Sequence, residues 1–233
     1  MSGQRDIVYI LRDNIDPYEL TFSLRTVEKN FPCRSVWFIC GQPKGLTPDG
    51  AIRHTQTGQN KWERIRSSMW KALECPDITD DFYLFNDDFF IMQPVDEDAF
   101  VNYTDGTLAD RIAQLTIIGS PRLSPYGSTL YKAEQELKII GRPTLNYEVH
   151  IPMLFNKTKA REALKSCSSP QMRSIYGNFT MTDSIDRKDV KVYDLTTVPR
   201  SPDYLSTSDE IFKSGRVGEY IRKRFNKPSR FET

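Results

Sequence analysis

The sequence lacks most of the features that would place it in a specialised class. It has four cysteines, Cys33, Cys40, Cys75 and Cys167, with no CxxC spacing, and only two histidines, His54 and His150. Neither a zinc site nor a small disulfide framework is therefore indicated, and the thiols read as free. No apolar run reaches 18 residues and no basic-plus-apolar leader precedes the first apolar run, so the expectation is a soluble, cytoplasmic protein with no membrane partner. The sequons at Asn102, Asn156 and Asn178 then read as chance matches. A formal net charge of +1 over 233 residues excludes a global field that would draw the chain to nucleic acid, so a polyanionic partner has to be met by a local patch. Internal repeats and low-complexity segments are absent as well.

What remains is an ordinary globular composition, 38% hydrophobic and 27% charged, long enough to bury a substantial core. "DIVYILR" (6–12) reads as a strand. In the "DPYE" that follows, Asp16 stands at an N-cap, Pro17 at the first helical position and Glu19 at the capping-box position. Leu20, Leu24, Val27 and Phe31 then mark one helical face. "SVWFIC" (35–40) is the next strand and "AIRHT" a weaker third. Trp62, Ile65, Met69 and Leu73 predict a helix over 60–74, stopped before Pro76. Strand, helix and strand in this order predict βαβ units and a mostly parallel sheet flanked by helices.

Further along, Tyr126, Leu130, Ala133, Leu137 and Ile140 predict an amphipathic helix. "NYEVHIPMLF" (146–155) reads as a strand with Glu148 and His150 on one side, followed by a helix over 159–167 and a strand "VKVYDL". The last stretch holds seven Lys or Arg between Lys213 and Arg230.

The chemistry concentrates in "FYLFNDDFFIM". Asp87 and Asp88 stand at the end of an apolar strand, where ionised carboxylates cost several kcal/mol, roughly, unless something compensates them. Two adjacent hard oxygen ligands suit Mg²⁺ or Mn²⁺, with the rest of the shell from water and phosphate. Simple capping of the turn before Phe89 is the competing explanation. Ligands of open α/β sheets gather outside the carboxyl ends of strands, which is where this pair would fall.

The order "ELTFSLRTVEKN" helix, "FICGQP" strand end, "TGQNKWERIRSSMWKAL" helix and "DDFYLFNDDFF" strand resembles GT-A-type nucleotide-sugar glycosyltransferases. More narrowly, "FYLFNDDFFIMQPV" and "EVHIPMLFNKTKAREAL" resemble the Stealth family of sugar-phosphate transferases and small phage-borne proteins of similar layout. The resemblance covers about residues 6–165. It implies a GT-A-like, Rossmann-like α/β domain spanning 1–233, with a nucleotide-sugar-binding half (6–100), an irregular acceptor-side half (101–212) and a basic C-terminal tail (213–233). It implies further that Asp87 and Asp88 bind Mn²⁺ or Mg²⁺ in a DxD-like slot, with Asn86 beside them, and that His150 completes the metal shell or acts in acid/base chemistry.

Arg12, ending the first strand, is placed for a nucleotide base or ribose, or is a solvated loop cation. Asn60, Lys61 and Arg64 open a helix whose free N–H groups suit a diphosphate, against a plain solvated face. Arg173, with Gly177 nearby, is a further phosphate candidate. Glu148 and then Asp183 are the candidate catalytic bases, ahead of Asp209, which also reads as a helix-start residue. Arg222, Lys223 and Arg224 are candidate acceptor-binding cations if the acceptor is DNA, or else a solvated helix end.

The function expected is metal-dependent transfer of a sugar from a nucleotide-sugar donor, a UDP-sugar foremost, to a hydroxyl acceptor. That acceptor includes a modified base in phage DNA, which would put the enzyme in the host cytoplasm. The alternatives are sugar 1-phosphate transfer to a glycan, a metal-dependent hydrolase or nuclease, and a non-catalytic nucleic-acid or sugar-binding module.

Overall fold

The computed structural model describes residues 4–116 and 123–233. The chain opens with β1 (Asp6–Leu11) and α1 (Pro17–Asn30), then β2 (Val36–Cys40), β3 (Gly50–Ile52), α2 (Lys61–Glu74) and β4 (Asp81–Phe85). Asp16 caps α1, accepting from the Tyr18 amide, and Asn60 caps α2, accepting from the Trp62 and Glu63 amides. β5 (Phe89–Ile91), β6 (Asn102–Thr104), α3 (Leu108–Leu115) and α4 (Pro125–Ile139) follow, then β7 (Met153–Asn156), α5 (Lys157–Ser166) and α6 (Met172–Thr180). The chain closes with β8 (Ser184–Asp186), β9 (Tyr204–Ser206), α7 (Asp209–Ser214) and α8 (Arg216–Arg224).

The central sheet runs β3-β2-β1-β4-β7. The first three pairings are parallel and β7 joins β4 antiparallel. The architecture is thus α/β with a mixed, mostly parallel sheet, consistent with a Rossmann-like fold. Period-two alternation sends Ile7, Tyr9 and Leu11 to one face, where Leu20, Leu24, Val27 and Phe31 of α1 cover them. Val8, Phe82 and Leu84 face the other way, onto Met69, Ala72 and Leu73 of α2 and the inner faces of α4, α5 and α6. β5 leaves the main sheet to pair with β9, and Phe90 stacks on Phe212 at 5.3 Å, tying α7 and α8 to the back of α1.

Three sequence expectations change. The strand foreseen over 146–155 is regular only from Met153, because residues 146–152 spend their polar groups on α6 and on residue 189. "VKVYDL" forms no strand; its one ladder contact is a bridge from Lys191 to Ser206. "MRSIYGN" is α6, and Gly177 lies against the Tyr147 ring, where a Cβ would come within 2.6 Å. The basic C-terminus is a packed element and no tail: Val217, Ile221, Phe225 and Phe231 are buried, and Arg230 pairs with Asp49.

Candidate functional site

From β1 the chain order runs outward through β2 and β3 on one side and through β4 on the other. The crevice between the carboxyl ends of β1 and β4 is therefore the topological switch point of the sheet. Arg12 leaves β1 at this edge and Asn86, Asp87 and Asp88 leave β4. At the end of β2, Cys40 holds a left-handed backbone (φ 79°) and its thiol donates to Asp13 Oδ1 at 2.8 Å. A non-glycine residue in this region is strained, as residues at functional crevices often are.

The turn over 86–89 is closed by the Phe89 amide donating to the Asn86 carbonyl at 3.3 Å. Asp87 is half-buried, and burial together with the Asp88 charge pushes its carboxyl up to about 6, against the pull of Arg12. Asp88 differs sharply. Its Oδ2 accepts from Lys191 Nζ at 2.9 Å and from Ser206 Oγ at 3.0 Å. Its Oδ1 is buried and has no hydrogen-bond partner among the described residues. Close by, Glu19 does not complete the capping box; it accepts from Thr207 Oγ1 at 2.8 Å. Burial, a hydrogen bond shared with Asp209 and the Asp88 charge push the Glu19 carboxyl up to about 8.

His150 sits on the same side. Its ring packs edge-on against Phe89 at 6.2 Å, its Nδ1 lies 2.7 Å from Asp189 Oδ2, and its backbone amide donates to Asp189 Oδ1 at 2.9 Å. Burial works to raise the Asp189 carboxyl, and the hydrogen bonds and charge of His150 outweigh it, leaving the group below the usual carboxylate range. Asp189 and Lys191, two residues apart, therefore hold His150 and Asp88 respectively. Sequence reasoning missed both: Asp189 falls just before, and Lys191 within, a stretch read as an ordinary strand.

Glu148 lies within reach of the His150 charge, but its carboxylate is turned to α6. Its Oε1 accepts from the Ser174 amide at 2.9 Å, and burial raises its pKa. Arg173 is buried, and its guanidinium donates to the Ile151 carbonyl at 2.7 Å and to Asn86 Oδ1 at 3.1 Å while lying over the Phe89 ring. Its donors are spent inside the protein, so it braces the turn from beneath. Asn86 is accordingly tied from both ends.

The other predicted residues are dispersed. Asn60 spends its side chain on capping α2 and on Glu63, Lys61 lies over the Trp62 ring, and Arg64 donates to the Gly58 carbonyl at 3.3 Å. The N-terminus of α2 is thereby partly satisfied from within. Asp183 stands exposed ahead of β8, and among the described residues no hydrogen bond or ion pair joins it to the crevice. In α8, Arg222 donates to the Phe212 carbonyl, Lys223 pairs with Glu219, and Arg224 donates to the Met92 carbonyl at 2.7 Å.

The chemistry of the crevice can be tested against a divalent cation. Among the described residues no group of three or more His, Cys, Asp or Glu side chains is placed to hold a metal. A Mg²⁺ held by one or two carboxylates, with water and substrate phosphate completing the shell, needs no such group. The unpartnered Asp88 Oδ1 and the adjacent Asp87 fit that mode, with His150 turned instead to Asp189. No protein-family model matches the chain, and no curated protein matches it significantly.

Proposed function

We propose that this chain is a divalent-cation-dependent glycosyltransferase that takes the sugar of a nucleotide-sugar donor and delivers it to a hydroxyl acceptor. The observation that carries it is the carboxylate pair at the switch point: Asp88 keeps one buried oxygen with no partner among the described residues, beside Asp87, whose carboxyl is pushed up by burial and by the Asp88 charge. When bound, the cation would be held by Asp87 and Asp88 and would offset negative charge on the donor diphosphate. His150, with Nδ1 engaged by Asp189, offers Nε2 as the base. The acceptor hydroxyl gives its proton to Nε2, its oxygen bonds to the anomeric carbon, and the bond from that carbon to the diphosphate breaks, releasing nucleoside diphosphate. His150 replaces Glu148 as the preferred base, since the Glu148 carboxylate is occupied by the α6 backbone.

A second reading is favoured by Lys191, whose ammonium is fixed 2.9 Å from Asp88, and by the Stealth-like motifs that contain Asp88 and His150. Here the same deprotonated hydroxyl bonds to the β-phosphorus and the bond to the bridging oxygen breaks. The products are a sugar 1-phosphate ester and nucleoside monophosphate, and a fixed cation stabilises charge spread over the phosphoryl oxygens.

The test is nucleotide release from a panel of nucleotide sugars with hydroxyl acceptors, with and without Mn²⁺ or Mg²⁺. Release of diphosphate supports the first reading and of monophosphate the second. No release, together with no cation-dependent rise in melting temperature with any nucleotide, overturns both.

A further inference from the structure

The segment between β8 and β9, residues 187–203, curls around a cavity of about 590 Å³, a volume within the range of small-molecule sites. Asp189 and Lys191 line it, and these are the two residues that hold His150 and Asp88, so the cavity abuts the candidate site. Its remaining walls combine the Tyr193 and Tyr204 rings with unspent positive charge. Tyr193 is 67% exposed and Arg200 is exposed. Asp194 is taken up by Thr196 and Thr197, Asp203 is within 3.5 Å of Arg187, and Lys188 pairs with Asp105. Arg200 alone of these charges makes no ion pair or hydrogen bond among the described residues.

An exposed tyrosine ring lining the cavity is suited to the apolar face of a sugar ring, which keeps its hydroxyls in plane for polar partners. The Arg200 guanidinium, lining the same cavity, presents a planar fork that matches a carboxylate or a phosphate. Pro199 and Pro202 limit the backbone freedom of this wall, so less order has to be imposed on binding.

We infer that the 187–203 cavity is the acceptor subsite and that it takes a saccharide bearing an acidic group, its ring on Tyr193 and its acid on Arg200. The inference deepens the transferase reading and rests on it for the fate of the bound hydroxyl. The binding event itself does not depend on that chemistry.

The experiment titrates the full chain, without donor, with a tetragalacturonate, with neutral maltotetraose and with inorganic phosphate, read by saturation-transfer NMR. The expected result is binding of the acidic tetrasaccharide, about tenfold weaker binding of the neutral one, and about tenfold weakening in each of Tyr193→Ala and Arg200→Ala. Nucleotide-dependent thermal stabilisation is read in parallel and should be unchanged in both variants. The subsite is overturned if neither tetrasaccharide binds, if both variants bind like the parent, or if phosphate alone binds as tightly as the tetrasaccharide. Saccharide binding at these residues with no nucleotide release from any donor would instead sink the transferase reading and leave the subsite standing.

Discussion

His150 meets Asp189 at two points, its backbone amide on one carboxylate oxygen at 2.9 Å and its Nδ1 on the other at 2.7 Å. This grip places the ring proton on Nδ1 and leaves Nε2 basic. An amide at position 189 has only one oxygen and cannot accept both contacts. Asp189→Asn should therefore lower nucleotide release by about a hundredfold, within the range of general-base effects, while the one lost hydrogen bond costs about 1 kcal/mol of stability. Equal rates in parent and variant would remove His150 from the proposed chemistry.

Asp88 and Lys191 are 14% and 17% exposed, so removing one strands the other in a poorly solvated place. Asp88→Ala should cost about 2 kcal/mol, less than the 3–5 of a fully buried pair. The double variant Asp88→Ala with Lys191→Met should recover most of that stability and none of the activity. Chemical denaturation and nucleotide release together check this, and full destabilisation in the double variant would show that the pair is not what holds this corner.

The elements were legible where one local rule decided them. Asp16, Pro17 and the Leu20, Leu24, Val27, Phe31 stripe specify α1 without help from elsewhere, and the continuous apolar run from Ile7 to Leu11 specifies a strand covered on both faces. The carboxylates of "FNDDFF" were legible as charge stranded on an apolar strand, and their compensation was not. Lys191 lies 103 residues away and Asp189 lies 39 from His150, so both partners are set by how residues 187–206 fold back. The same distance effect hid Arg173, read as a phosphate candidate because nothing local shows that α6 buries it under Asn86.

Within α8 the three neighbouring cations have different attachments. Arg224 donates to the Met92 carbonyl and to the Tyr220 hydroxyl, each at 2.7 Å, whereas Lys223 is exposed and, among the described residues, pairs along its own helix with Glu219. Arg224→Ala should then cost on the order of 1–2 kcal/mol through the lost charged hydrogen bonds, and Lys223→Ala less than about 0.5 kcal/mol. Urea denaturation of the two single variants separates them. Equal losses would mean that the helix is held by charge in general and not by the contact to Met92.

Glu19 makes the stability of the fold fall as pH rises. Its carboxyl is pushed up to about 8 in the fold by burial, the Asp209 hydrogen bond and the Asp88 charge, against an ordinary value of 4.5. The native state therefore binds this proton more tightly than the unfolded chain. Below pH 4.5 both states are protonated and the group is neutral in its effect; between 4.5 and 8 each rise in pH favours unfolding, and above 8 the full cost is reached. Glu19→Gln keeps the shape of the protonated acid, an oxygen for Thr207 and an N–H for Asp209, and cannot ionise. The variant should match the parent near pH 4 and exceed it at pH 9 by about 2 kcal/mol, a value discounted for solvent screening, or roughly 5 °C in melting temperature for a chain of this size. A melting-temperature difference that is the same at pH 4 and pH 9 would show that Glu19 ionises freely in the fold. The crevice would then carry one more negative charge at neutral pH, and the demand for a cation at Asp88 would be stronger still.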